Sequence, residues 1–170
     1  MASPNSISPK QLLRLIGTPN APVLFDVCLN DDFEEDPYLI PASIRHPVTD
    51  LRGLLCKISG RSAVIICQKG KKLSQGVVSW LRSEGHQAEY LEGGMQAWRE
   101  LTDAPRVPAA RIPERIGGHT LWVTRHRPKI DRIACPWLIR RFVDPDAKFL
   151  FVAPGEVESV STAFGASPFD

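Results

Sequence analysis

Cys67 stands where an apolar run meets a short polar loop. Residues 62–66 are small or β-branched, as in a buried strand, and a helical pattern begins after the loop at Ser74. At such a junction, the loop amides and the positive end of the helix dipole converge on one point. They stabilise a thiolate, which is the nucleophilic form of cysteine. The spacing therefore makes Cys67 a candidate nucleophile.

The loop after Cys67 is rich in positive charge. Lys69, Lys71 and Lys72 place three ammonium groups within four positions, so we expect an anionic substrate at the entrance to the loop. Such a thiolate can take a sulfur atom from a donor, hold it as a persulfide and pass it to an acceptor. In the other interpretation, Cys67 only packs at the end of a strand and the lysines are solvated. The spacing alone supports both equally.

Composition excludes several classes of protein. The 170 residues carry 21 basic and 19 acidic side chains, and 43% are hydrophobic, which is typical of a globular protein rather than a disordered or collagen-like one. No apolar run approaches the ~18 residues that a membrane span needs, and the first residues do not resemble a secretory signal. We expect a cytoplasmic protein with no membrane partner.

The cysteines and histidines predict neither a metal site nor a cofactor. Cys28, Cys56, Cys67 and Cys135 form no Cys-x-x-Cys pair, so zinc-site and thioredoxin patterns are absent, and reduced thiols are expected. His46 and His126 have no partner at ligand spacing.

Strands and helices alternate through the first hundred residues. Strands are predicted at 22–27, 62–66 and 88–91, with helices beginning at Ser8, Leu51 and Ser74, and residues 31–36 are predicted to form an acidic surface loop. This order predicts an α/β fold with a mostly parallel sheet. Ligands of such sheets bind beyond the carboxyl ends of the strands, where Asp26 and Cys67 both lie.

The pattern changes after residue 104. We expect a first domain over 1–104, a proline-rich linker over 105–119 and a short α/β segment over 120–170, with strands at 121–124 and 148–152 and a helix at 134–142. Residues 111–141 carry eight basic and two acidic side chains. A solvated face with a few ion pairs is the simpler interpretation of this charge. Nucleic-acid binding is less favoured because no helix-turn-helix pattern is present.

Residues 7–101 resemble a single rhodanese domain. The matching blocks are LFDVC (24–28), IPASIRHP (40–47), VIICQKGKKLSQG (64–76) and YLEGGMQAW (90–98). The resemblance implies a three-layer fold, a sulfurtransferase activity and a persulfide on Cys67, with Asp26 supporting the loop geometry. It also implies that substrate is bound by the loop residues Gln68, Lys69, Gly70, Lys71, Lys72, Leu73 and Ser74.

The chain departs from the rhodanese pattern at two places. Cys28 stands where rhodaneses commonly have an arginine, and the helix after the loop is expected to begin one residue late. Longer loops in relatives accompany phosphate- or arsenate-sized substrates. However, the closing arginine of a tyrosine-phosphatase loop is replaced by Leu73, which cannot bind phosphate. Phosphatase activity is therefore not expected, and the choice of sulfur donor stays open.

Residues 120–170 resemble the beginning of the chromate-resistance domain of ChrB-type proteins. The carrying stretch is WVTRHRPKIDRIACPWLIRRFVDPDAKFLFV (122–152), and fusions of a rhodanese with this domain are known as sulfurtransferase/chromate-resistance proteins. Arg125, Lys129 and Arg132 are candidate anion contacts, although surface positions or ion pairs are the commoner fate of such residues. We expect Trp122 and Trp137 to be core residues.

Three functions follow from these patterns. The favoured one is transfer of a sulfane sulfur from an anionic donor such as thiosulfate to a thiol or cyanide acceptor through Cys67, with a link to chromate resistance. The second is a non-catalytic oxyanion sensor or regulator of the chromate response. The third is a chromate or arsenate reductase, in which Cys28 would serve as the resolving thiol only within disulfide reach of Cys67. The oligomeric state is left open.

Overall fold

The computed structural model describes residues 5–127 and 129–169. The chain divides into two compact units, the first ending at Arg106 and the second beginning at Val107. Each unit has its own parallel sheet. Within the described residues, no helix combines the length and apolar character needed to span a bilayer.

The first unit alternates strands and helices. Its elements are β1 (Ser6–Ile7), α1 (Pro9–Leu15), β2 (Val23–Asp26), α2 (Asn30–Glu34), β3 (Tyr38–Leu39), β4 (Ser43–Arg45), α3 (Leu51–Ile58), β5 (Ala63–Ile66), α4 (Lys72–Ser83), β6 (Ala88–Leu91) and α5 (Gly94–Glu100). Five strands form one sheet in the order β1-β6-β5-β2-β4, and neighbouring strands run parallel. The predicted α/β fold with a mostly parallel sheet is confirmed.

The sequence signals for α1 and the central strands act as predicted. Ser8 caps α1 by accepting a hydrogen bond from the Gln11 amide, and the Gln11 side chain accepts one from the Ser8 amide in return. Every residue of β2 and β5 is buried, because helices cover both faces of a parallel sheet and leave no solvated side.

Two apolar clusters lie on opposite faces of the five-stranded sheet. The first joins Phe25 and Ile65 to side chains of α3 and α4, and the second joins Leu24 to side chains of α1 and α5, including Trp98. Successive strand residues point to opposite faces, so Leu24 and Phe25 belong to different clusters. The result is three layers, with helices on both sides of the sheet.

Two predicted boundaries in the first unit were wrong. Helix α4 begins at Lys72 and not at Ser74. The prediction missed this start because the N-cap residue, Lys71, has no capping side chain that would mark it in the sequence. Residues 31–36 are not wholly a loop, because α2 occupies most of them. Asp31 and Asp32 lie in its first turn, where acidic side chains interact favourably with the helix dipole.

The second unit is a smaller parallel α/β arrangement. Its elements are β7 (Val107–Pro108), a 3-10 turn (Ala109–Arg111), β8 (Leu121–Arg125), α6 (Ile130–Phe142), β9 (Lys148–Val152), a second 3-10 turn (Pro154–Glu156), α7 (Val157–Phe164) and β10 (Ser167–Pro168). Strand β8 lies between β10 and β9 and is parallel to both.

Sequence reasoning was less accurate in the second unit. Helix α6 begins at Ile130, earlier than the predicted residue 134, and includes Pro136 within it. The side chain of Trp137 is not in a core, since the residue is 53% exposed. Trp122 is half-buried and packs edge-to-face with Phe169. Apolar residue type alone did not show which face of α6 is covered.

Candidate active site at Cys67

Cys67 follows β5 directly and lies at the floor of a cavity. The residue is 5% exposed, and the cavity has a volume of about 260 Å³. Its walls are formed by five residues of the predicted loop and one of α2, namely Gln68, Lys69, Lys71, Lys72, Leu73 and Asp32. Most of the predicted binding residues are therefore brought together around the sulfur. The three lysines of this set are solvent-exposed.

The backbone amides around the loop are available as hydrogen-bond donors. None of the seven amides from Gln68 to Ser74 donates to an acceptor within residues 5–127 and 129–169. The next amide, that of Gln75, donates to the Lys71 carbonyl at 3.2 Å. Free amides at the start of a twelve-residue helix, together with the helix dipole, favour a negative charge on or beside the sulfur.

Ser74 contacts the sulfur but is not one of the wall residues of the cavity. Its hydroxyl is fully buried and lies 3.1 Å from Cys67 Sγ. The same hydroxyl lies 3.1 Å from the Lys71 carbonyl and donates to it. It can accept a hydrogen bond from the thiol, or turn to donate one to the thiolate. Ser74 was predicted to bind substrate. In the structure its hydroxyl contacts the Cys67 sulfur.

Two glycines allow the Cys67 loop to pack closely against neighbouring backbone. Gly70 and Gly94 have φ angles of 61° and 59°, which other residues adopt at a cost. A Cβ on Gly94 would collide with the Cys67 carbonyl, and a Cβ on Gly70 with the Leu91 carbonyl. The close approach of Gly94 explains why the second residue of the Gly93-Gly94 pair is a glycine. Gly70 thus shapes the loop and does not line the cavity.

The N-terminus of α5 binds the loop carbonyls. The Met95 amide donates to the Cys67 carbonyl at 3.0 Å, and the Gln96 amide donates to the Gln68 carbonyl at 3.1 Å. In a trans peptide the carbonyl and the following amide point in opposite directions. The amides that follow these two carbonyls are therefore turned away from α5.

Asp26 lies at the end of the neighbouring strand, outside the cavity walls. It is 1% exposed, and its Oδ1 accepts a hydrogen bond from the Cys28 amide at 2.8 Å. Desolvation by burial raises the pKa of Asp26, against the opposing effects of that hydrogen bond and of Arg45. The Val27 amide donates to the Ile66 carbonyl at 2.8 Å. Asp26 is thus placed to order the strand ends rather than to touch a substrate.

Arg45 is the residue that sequence reasoning missed. It lies on β4 beside Asp26, donates to the Cys28 carbonyl at 3.3 Å and to Asn30 Oδ1 at 2.8 Å, and stacks over Phe33 at 3.9 Å. Its Nη1 lies 3.9 Å from Asp26 Oδ2. A guanidinium thus reaches Asp26 from the adjacent strand, although position 28 carries a cysteine. Only the pairing of β2 with β4 reveals this.

The two buried thiols of the first unit belong to different apolar clusters. Cys28 packs in the cluster with Leu24, and Cys67 packs in the cluster with Ile65 on the other face of the sheet. Desolvation raises the pKa of Cys28, and the nearby Asp26 raises it further. The raised pKa does not favour a thiolate at Cys28.

The three candidate anion contacts of the second unit have different surroundings. Arg125 ends β8 and lines a cavity, whereas Lys129 is exposed and precedes α6. Arg132 is 8% exposed, and its Nη1 lies 3.5 Å from the Arg127 carbonyl. Within the described part of the chain, no three His, Cys, Asp or Glu side chains are grouped as metal ligands.

The class of protein is defined by the loop, the glycine pair and the parallel sheet. The rhodanese-like domain model matches residues 8–101, and the chain belongs to that family. The model for the C-terminal domain of ChrB matches residues 122–170. The protein is therefore a rhodanese-like domain followed by a ChrB C-terminal domain, as the sequence blocks predicted.

Individual relatives support each half separately. A rhodanese-related protein from Thermoplasma volcanium is 26% identical, with a TM-score of 0.51 over 61% of this chain and 97% of its own. A full-length protein from Lactobacillus plantarum shares the fold at 20% identity, with a TM-score of 0.54 over 61% of this chain and 88% of its own. Protein ChrB of Cupriavidus metallidurans is 58% identical over 42 residues, which are 25% of this chain and 13% of that protein.

Proposed function

We propose that the protein is a sulfurtransferase that carries a sulfane sulfur on Cys67. The observation that supports this most directly is the position of Sγ at the floor of a cavity whose loop amides, from Gln68 to Ser74, have no acceptor within the described residues. A negative charge at this place can accept hydrogen bonds from these amides. A persulfide anion would be stabilised in the same way.

In the first step, the Cys67 thiolate attacks the outer sulfur of an anionic donor such as thiosulfate. A new S–S bond forms to Sγ, the S–S bond of the donor breaks, and sulfite leaves with the electron pair. Lys69, Lys71 and Lys72 attract the donor and stabilise the departing anion at the entrance. The terminal sulfur of the persulfide retains one negative charge, which the loop amides stabilise.

In the second step, a thiolate or cyanide attacks the terminal sulfur. The bond between that sulfur and Sγ breaks, the acceptor leaves as a persulfide or as thiocyanate, and Cys67 returns to its thiolate. No net redox change occurs at the protein, so no cofactor is required. Leu73 contributes an apolar wall to the cavity, and a phosphoryl group would find no guanidinium among the wall residues.

The second unit suggests where this chemistry is used. Its match to the C-terminal domain of ChrB supports a role in chromate resistance, with the rhodanese-like unit supplying sulfur chemistry in the cytoplasm. The matched segment is only 13% of the length of Protein ChrB, so this role belongs to the proposal.

Intact mass spectrometry tests the proposal. Incubation with thiosulfate should add one sulfur atom, and subsequent cyanide should remove it and release thiocyanate. Cys67→Ser should abolish the gain and lower turnover by more than about a thousandfold. Cys56→Ser is the matched control because Cys56 is an exposed thiol outside the site; it should behave like the natural chain. An organic persulfide and a thiosulfonate serve as further donors.

A second candidate is non-catalytic oxyanion binding at the same loop, as a sensor would require. The three exposed lysines around the cavity favour it. Chromate or sulfate would then bind the natural chain and Cys67→Ser alike, and no donor would add sulfur. Transfer that survives in Cys67→Ser would refute the persulfide mechanism.

A further inference from the structure

One wall of the cavity at Cys67 carries a charge opposite to that of the other charged walls. Asp32 lines this cavity together with Lys69, Lys71 and Lys72. The lysines belong to the loop and to the start of α4, whereas Asp32 comes from the first turn of α2. The wall residues therefore present cations from one part of the fold and a single carboxylate from another, around the same sulfur.

The four charged groups of this cavity are available to a ligand. None of the four side chains forms an ion pair or a hydrogen bond within the part of the chain that the structure describes. The lysines are exposed, and Asp32 is half-buried at the wall. By contrast, Asp36, four residues along the chain, pairs with Arg99 at 3.1 Å and with Arg106 at 2.7 Å. A cation on a bound substrate would give Asp32 the partner that Asp36 already has.

The donor half of sulfur transfer gives Asp32 no favourable role. Thiosulfate and the departing sulfite are anions, which the lysines attract and a carboxylate repels. The acceptor half differs, because an acceptor thiol that also carries an ammonium group can place that group against Asp32. The cavity volume of about 260 Å³ is below the ~300–1,000 Å³ of sites that bury drug-sized ligands. The acceptor that fits these walls is therefore a small one.

We propose that Asp32 selects a small aminothiol as the sulfur acceptor, an inference that rests on the sulfurtransferase function proposed above. The ammonium group of the acceptor pairs with the Asp32 carboxylate, and its thiolate is directed at the Cys67 persulfide. The thiolate attacks the terminal sulfur, a new S–S bond forms, and the bond between that sulfur and Sγ breaks. The electron pair of the broken bond stays on Sγ as the Cys67 thiolate, and the aminothiol leaves as a persulfide anion.

Discharge of a preformed persulfide isolates the acceptor step. The full chain is loaded with thiosulfate, freed of excess donor and mixed with cysteamine, 2-mercaptoethanol or 3-mercaptopropionate, and intact mass follows the loss of one sulfur atom. The three thiols end in an ammonium, a hydroxyl and a carboxylate group. Each variant is compared with the natural chain for one acceptor at a time, so the intrinsic reactivity of the thiols cancels.

Asp32→Asn removes the charge at nearly constant size. The second-order rate constant with cysteamine should fall about three- to fivefold, the effect of one solvent-accessible ion pair. The constant with 2-mercaptoethanol should not change, and that with 3-mercaptopropionate should rise. Asp32→Glu keeps the charge and should retain most of the reactivity with cysteamine. Asp31→Asn is the matched control, because Asp31 lies in the same helical turn but is exposed and outside the cavity walls, and it should behave like the natural chain.

Three results would overturn the role of Asp32. Equal slowing with cysteamine and 2-mercaptoethanol would indicate a general defect, and equal slowing in Asp31→Asn and Asp32→Asn would indicate a long-range effect of net charge. Unchanged discharge of Asp32→Asn by cysteamine would show that the carboxylate does not choose the acceptor. Each of these leaves the sulfurtransferase function intact, because the persulfide has formed. A natural chain that gains no sulfur from any of the donors would instead refute that function, and the aminothiol acceptor with it.

Discussion

The two units differ in how completely their helices are covered. In the first unit Trp98 of α5 is fully buried and joins the cluster beside the active-site loop. In the second unit α6 exposes apolar side chains, with Ile130 85%, Ile133 64% and Trp137 53% exposed. Buried elements hold the Cys67 loop from behind, so its donors are fixed before a substrate arrives.

The largest expected effect is on the free energy of unfolding, and it tests the difference in helix burial between the two units. Trp98→Ala should lower the free energy of unfolding of the first unit by about 3–5 kcal/mol, because a fully buried indole is lost and a void remains. Trp137→Ala in the second unit should cost less than about 1 kcal/mol, since half of that side chain is already in water. Hydrogen exchange of amides in β5 and β8 reports the two units separately. Similar losses would contradict the comparison.

The next effect concerns glycine. Gly94→Ala should lower the free energy of unfolding by about 3 kcal/mol and strongly reduce sulfur transfer, because its Cβ would collide with the Cys67 carbonyl at a positive φ. Gly118→Ala also has a positive φ but open space around its Cβ, so about 1 kcal/mol is expected. Thermal unfolding and the thiosulfate assay test this pair. Undiminished sulfur transfer in Gly94→Ala would show that the Cys67 loop does not depend on its close contact with Gly94.

The smallest effect compares two buried carboxylates. Asp144 accepts from the amides of Thr120 and Asp146 and pairs with Arg115 at 2.8 Å, so Asp144→Asn should cost about 2–3 kcal/mol. Asp26 Oδ2 has no hydrogen-bond partner within the described residues, so Asp26→Asn should cost less than about 1 kcal/mol at neutral pH. Denaturant unfolding of both variants, followed at β5 and β8, measures the two costs. Equal costs would contradict the comparison.

The pH dependence of Asp26 follows from its burial. Its pKa is raised above the ordinary 3.8, so the folded chain binds this proton more tightly than the unfolded chain. The free energy of unfolding should therefore fall as pH rises from about 3.8 to the raised folded pKa and then stay level, as far as Asp26 is concerned. Asp26→Asn should remove this decline in urea unfolding measured across that range, and an unchanged profile would contradict it.

Much of the first unit could be predicted because its signals are local. The capping box at Ser8, the apolar runs of β2 and β5, and the glycine pair each require only neighbouring residues to be recognised. The start of α4 was wrong by two residues because the residue before it carries no capping side chain. The sequence showed the Gly93-Gly94 pair but not its purpose. The structure explains Gly94, because a side chain there would collide with the Cys67 carbonyl.

The amino-acid sequence by itself determined the elements, the parallel α/β class and the cysteine between strand and helix, because periodicity and turn residues act over a few positions. Only the tertiary structure decided that Arg45 reaches Asp26, that Cys28 and Cys67 belong to different apolar clusters, and that Asp32 of α2 lines the cavity at Cys67. Each of these depends on which strands pair and which helices cover them, and such long-range contacts leave no pattern along the chain.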